Sequence, residues 1–132
     1  MLLPAVTLPR AVPDAEAASA LFAPLMESAV EQVMIAYLGE GAKLLGVRLL
    51  PPGTRDEVAL PVRLIVSDAL EMGASALVLA HNHPSGDASP SAADLTLTRR
   101  LAQTLAAVDV RLLDHLVIGA TASTSFRALG LL

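Results

Sequence analysis

Residues 76–94 read ALVLAHNHPSGDASPSAAD, and the fold turns on them. Residues 76–80 are a short unbroken apolar run, the size of a central strand, and residues 81–90 form a loop of His, Asn, Pro, Ser, Gly and Asp at its carboxyl end. Ser91 then opens a helix to about residue 108, with Leu95, Leu97, Leu101, Leu105 and Val108 as its main apolar positions. In open α/β sheets, sites sit outside the carboxyl ends of strands, which is where this polar loop falls.

Outward from that unit the pattern continues. Downstream, residues 111–118 read as another strand, Gly119 to Ser123 turn the chain, and residues 124–132 add one short turn of helix or strand. Upstream, Pro61 starts a helix in which Leu64, Ile65, Asp68, Ala69 and Met72 follow helical spacing, and Gly73 suits its C-terminal cap. Residues 30–38 have a period of two with both sets mostly apolar, a strand buried on both faces. After a turn at Gly39-Glu40-Gly41, residues 43–50 complete a hairpin that Pro51-Pro52-Gly53-Thr54 ends, with a charged loop at residues 55–57. Asp14 can cap a helix over residues 15–28, with Glu16 in its first turn, Leu21, Leu25 and Met26 on its apolar side, and Pro24 kinking or shortening it. Residues 1–13, with three prolines, read as an extended lead-in. The order α, β, β, α, β, α, β predicts a single α/β domain, a mixed sheet flanked by helices.

Composition excludes several classes. At 132 residues the chain is one domain with a real core, and 54% hydrophobic against 17% charged residues excludes disorder. No apolar run approaches the roughly 18 residues of a membrane span, and no basic residue precedes the apolar N-terminal stretch as in a signal peptide, so a cytoplasmic address is expected. The absence of cysteine removes disulfides, thiolate zinc sites, iron–sulfur clusters and thiol catalysis. A net charge of −4, one lysine and 2% aromatics supply neither the basic stripe nor the stacking platform of a nucleic-acid binder.

The chemistry-bearing residues concentrate in residues 81–94, which hold two of the three histidines. If the strand continues, His81 and His83 at i, i+2 point to one face and can chelate a metal. Ser91 and Asp94 at i, i+3 share a face of the helix start. Two His and one Asp around an open fourth position is the ligand count of a catalytic zinc site. Each piece also has a plain structural reading: polar loop histidines, and a Ser-x-x-Asp cap with Asp94 in the first turn. Glu31, beside an otherwise apolar strand, can likewise be an ordinary exposed strand-end acid. Asn82 would face away from the ligands and stabilise a turn, and Asp87 would be solvated.

Together the pieces form H-x-H-x7-S-x2-D, the JAMM signature, and AHNHPSGDASPSAADLTLTRRL with downstream LLDHLVIG and upstream SALVLA resembles the RadC family of the JAB/MPN (JAMM) metalloprotease superfamily. The resemblance covers residues 29–132, the expected JAMM (MPN) domain, after a lead-in and helix in residues 1–28. It implies a JAMM/MPN-like, cytidine-deaminase-like fold, one Zn2+ per chain on His81, His83 and Asp94, and Ser91 helping to bind water and stabilise the oxyanion. Glu31 occupies the place of the family's general base. The implied function is a zinc-dependent hydrolase, a metallopeptidase or isopeptidase using a metal-activated water on a peptide or protein substrate. Two other readings stand beside it: a RadC-type, DNA-associated repair factor, and a non-catalytic metal-stabilised interaction module. The acidic balance and the lack of the family's helix-hairpin-helix region argue against DNA as a partner, and Arg63 is followed by Leu64 where the family has an acid. The apolar composition leaves room for a homodimer. Asp114 and His115 match the family's DH pair, either hydrogen bonding near the site or forming a satisfied strand-end pair. The literal His81-Asn82-His83 is not the HNH nuclease motif, whose residues spread across a ββα unit, and the zinc deaminase pattern fails for want of cysteine.

Overall fold

The computed structural model describes residue 2, residues 10–50 and residues 60–132. The stop at residues 51–54, the charged loop at residues 55–57 and most of the lead-in lie outside the described residues. Helix α1 spans Ala15–Phe22 and passes into a 3-10 turn, Ala23–Glu27. Strands β1 (Val33–Leu38) and β2 (Leu44–Leu49) flank a second 3-10 turn. Helix α2 (Val62–Met72), strand β3 (Ala76–Asn82), helix α3 (Ala92–Ala106), strand β4 (Arg111–Ile118) and the short strand β5 (Ser123–Ser125) follow. The five strands form one mixed sheet in the order β2-β1-β3-β4-β5. β3 and β4 are parallel, joined through α3, and the other neighbours are antiparallel. Among the described residues, no helix is long and apolar enough to cross a membrane.

Period-two alternation divides the core into two layers. Met34, Ala36 and Leu38 of β1 and Val78 and Ala80 of β3 pack with Ala18, Phe22 and Leu25 of the first helical segment. The alternate residues, Ile35, Tyr37, Leu77 and Leu79, pack against Ile65 and Ala69 of α2 and Leu101 and Leu105 of α3. Both faces of the central strands are therefore covered, as their continuous apolar runs require. The outer edge of β2 meets backbone of the N-terminal segment through bridges at Leu2–Arg48 and Ala11–Lys43, which blunts an otherwise open edge.

Three boundaries differ from those read in the sequence. The first helix is α-helical only to Phe22, because Pro24 has no N–H to give and forces the tighter turn, and Met26 faces solvent. β1 starts at Val33, not residue 30, which leaves Glu31 just before the strand. β3 runs through His81 and Asn82, where composition suggested loop: His81 pairs with Val33 on one side and Val117 on the other. That extension positions the site. It carries the Leu77, Leu79 alternation on to His81, so that its side chain faces the α3 side of the sheet.

A buried polar network fastens the far part of the sheet to α2. Arg48 grips Asp68 with Nε and Nη2 at 2.8 and 2.7 Å, and the Tyr37 hydroxyl donates to Asp68 at 2.9 Å. Burial pushes the Asp68 carboxyl upward, but the hydrogen bonds from Arg48 and Tyr37 outweigh it and hold the group below its ordinary range. Burial, with the Asp68 charge beside it, pushes the Tyr37 phenol well above its usual value.

Candidate metal centre

The site lies at the carboxyl ends of β3 and β4, where α3 begins. His81, at the end of β3, is 5% exposed. Its Nε2 is 2.9 Å from His83 Nε2, so the two imidazoles of the H-x-H pair meet edge to face. Asp94, in the first turn of α3, brings Oδ1 to 3.3 Å from His81 Nε2 and Oδ2 to 3.5 Å from His83 Nε2. Glu31 is opposite His83 in the continued β1–β3 register, and a carboxylate oxygen of Glu31, with one ring nitrogen each of His81 and His83, lies in a group spanning no more than 4.8 Å.

Each side chain is held by a local device. Ser91 and Asp94 form a reciprocal capping box: Ser91 Oγ accepts from Asp94 N at 3.0 Å, and Asp94 Oδ2 accepts from Ser91 N at 2.8 Å. The capping reading of these two residues is thus true, and the same cap fixes the Asp94 carboxylate toward the histidines. Burial pushes that carboxyl upward, but its contacts with His81 and the Ser91 N–H prevail and hold it ionised far into the acid range. His83 Nδ1 donates to the Asp87 carbonyl at 2.8 Å. The loop making that bond is pinned by His83 N to Ile118 O at 2.9 Å and by a close approach at Gly119, where a Cβ would lie 2.7 Å from Gly86 O. Asp87 is exposed, as expected, but its backbone carbonyl is what the site uses.

One arrangement was missed in the sequence and another was left open there. Asn82 is not a turn residue. Its Oδ1 accepts from Gln32 N at 2.7 Å and its Nδ2 donates to Val30 O at 2.9 Å, so it clamps the segment that carries Glu31. The Asp114-His115 pair divides between the two roles weighed for it. Asp114 is structural, accepting from the backbone N–H groups of His115 and Arg127 and from the Ser125 hydroxyl. His115 stands behind the site, its Nε2 2.6 Å from His81 Nδ1 and its ring stacked on Phe126. Burial, aided by the nearby His81, pushes the His115 imidazole down to about 3, so it is neutral at physiological pH.

The donor set fits a divalent cation. A backbone carbonyl can only accept, so His83 carries its proton on Nδ1 and, when neutral, presents an Nε2 lone pair toward His81. Tetrahedral ligands with metal–nitrogen bonds of about 2.0–2.1 Å stand roughly 3.3 Å apart. The two imidazole nitrogens stand 2.9 Å apart, and each lies 3.3–3.5 Å from a different oxygen of the Asp94 carboxylate, distances on either side of that value.

Comparison with known proteins gives a consistent family. The family described as "RadC-like JAB domain" matches residues 12–131. The chain is 43% identical over 102 residues to the UPF0758 protein YfjY of Escherichia coli K12, which covers 77% of this chain and 64% of that protein. It is 42% identical over 110 residues to a UPF0758 protein of Acidithiobacillus ferrooxidans, covering 83% and 49%, and 44% identical over 108 residues to one of Neisseria meningitidis, covering 82% and 48%. The chain thus spans about half to two thirds of the length of these relatives.

Proposed function

The chain belongs to the RadC-like JAB domain family, and from that premise we propose that it is a metal-dependent hydrolase of peptide or isopeptide bonds. The observation that carries the reading is the convergence of Glu31, His81 and His83 within 4.8 Å, with Asp94 against both histidines. In this reading His81, His83 and Asp94 hold one divalent cation, zinc by the preference of a two-imidazole, one-carboxylate set. Bound there, zinc would supply the polarisation of a scissile carbonyl and the acidification of water.

The chain's own groups do the rest. Glu31 takes the proton of the attacking water and returns it to the leaving amine. The Ser91 hydroxyl accepts from Asp94 N through Oγ, and its hydrogen is directed to the Asp94 carboxylate at the site. Turned from there toward substrate, that hydrogen is the donor for the oxygen that becomes anionic. Glu31→Gln keeps the shape and removes the base. It is expected to retain metal and lose hydrolysis of peptide- and isopeptide-linked substrates; full activity in the variant would overturn the assignment.

A further inference from the structure

We propose that Thr98 and His115 are positioning residues that fix the tautomer of His81, so that its Nε2 lone pair faces His83 and Asp94. This rests on the reading of His81 as a metal ligand. Counting hydrogens fixes the chain of bonds. Thr98 Oγ1 is 2.6 Å from the Asp94 carbonyl, which can only accept, so the single hydroxyl hydrogen points there. The same oxygen is 2.6 Å from His115 Nδ1 and has no second hydrogen to give, so His115 Nδ1 carries the N–H and donates. His115 is 0% exposed, and its ring nitrogens meet only Thr98 and His81 among the described residues. A neutral imidazole with its hydrogen on Nδ1 has an acceptor at Nε2. His81 Nδ1, at 2.6 Å, must then be the donor, and the lone pair of His81 falls on Nε2.

His83 reaches the same state by a simpler route, because its Nδ1 faces a carbonyl. The Nδ1 of His81 faces another histidine, and two facing imidazoles alone can place their hydrogens either way. Thr98 removes that freedom. The relay also begins and ends on one residue: the Asp94 carbonyl holds Thr98, while the Asp94 carboxylate faces His81 Nε2. A single turn of α3 therefore sets both the position of one ligand and the protonation pattern of another.

The test combines a spectroscopic and a binding measurement. In metal-free wild-type protein, at a pH where the histidines are neutral, imidazole 15N spectra should show His81 protonated at Nδ1 and bare at Nε2. Thr98→Val keeps the branched shape and removes the hydroxyl. It should let His81 populate the Nε2–H form and weaken zinc binding, read by competition with a chromophoric chelator, by about 10–100-fold. Thr98→Ser should restore both. A wild-type His81 protonated at Nε2 overturns the proposal without reference to any variant, as does a folded Thr98→Val protein with wild-type zinc affinity and unchanged His81 shifts. Wild-type protein that takes up no zinc while His81 shows the expected tautomer would sink the metal reading and leave the lock standing.

Discussion

Asn82 holds the backbone of Gln32 across the β1–β3 boundary, its Oδ1 accepting the Gln32 N–H at 2.7 Å. Its amide also donates to Val30 O and Ser28 O at 2.9 and 3.4 Å, so one buried side chain fixes the segment on either side of Glu31. Asn82→Ala should lower stability by about 1–3 kcal/mol, since it strands backbone groups that are partly shielded from water. It should also release Glu31 from its place. The expected kinetic signature is a fall in kcat on the order of 10- to 100-fold with metal affinity retained, because His81, His83 and Asp94 are held by other bonds. Parallel loss of metal would show that Asn82 supports the strand end as a whole.

Gly119 tests the loop. A methyl group there meets the Gly86 carbonyl oxygen at 2.7 Å and the Ala122 carbonyl oxygen at 3.1 Å, both rigid backbone atoms. Gly119→Ala should therefore displace residues 84–90 and loosen the Asp87 carbonyl from His83. Thermal unfolding should show a loss of about 1–3 kcal/mol, and zinc competition a weaker site. An unchanged Tm would mean that the loop yields without strain.

The Arg48–Asp68–Tyr37 network gives stability a dependence on pH. Asp68 is held below its ordinary value of 3.8, so the folded state binds its proton less readily than the unfolded chain. Its contribution is full above that value and is lost as pH falls through the lower, folded-state one. Tyr37 is displaced upward from 10.0, so its contribution is full below that pH and is lost as pH rises above it. Denaturation followed against pH should show both flanks, and Tyr37→Phe should remove the alkaline one. Arg48→Met should cost on the order of 2–3 kcal/mol near neutrality, less than a fully enclosed pair, because part of the Arg48 side chain stays in water.

The sequence made the architecture legible wherever apolar periodicity was unopposed. β4 has the limits its residues predict, and α2 ends at Met72 with Gly73 in the left-handed conformation. The H-x-H-x7-S-x2-D spacing singled out His81, His83 and Asp94, which the fold brings side by side. It was less legible where a side chain's partner comes from another strand. Asn82 alternates away from His81 and His83, but only the pairing of β1 with β3 shows that Gln32 and Val30 wait on that side. Asp68 sat in plain view, an acid on an otherwise apolar helical face. Such a residue needs a buried partner, and Arg48, twenty residues earlier, gave no spacing signal for it. The end of β3 was hidden because His and Asn resemble loop residues in composition, whereas here the sheet carries them because a site needs rigid support.

The central claim is that His81, His83 and Asp94 form one metal site. Elemental analysis of the purified protein, beside His83→Ala and Asp94→Ala, tests it most directly. The account predicts about one zinc per chain in the wild type and loss of that zinc in both variants. Wild-type protein that holds no metal even after zinc is added back, or variants that keep it, would contradict the account and leave the histidines and the α3 cap as structural features alone.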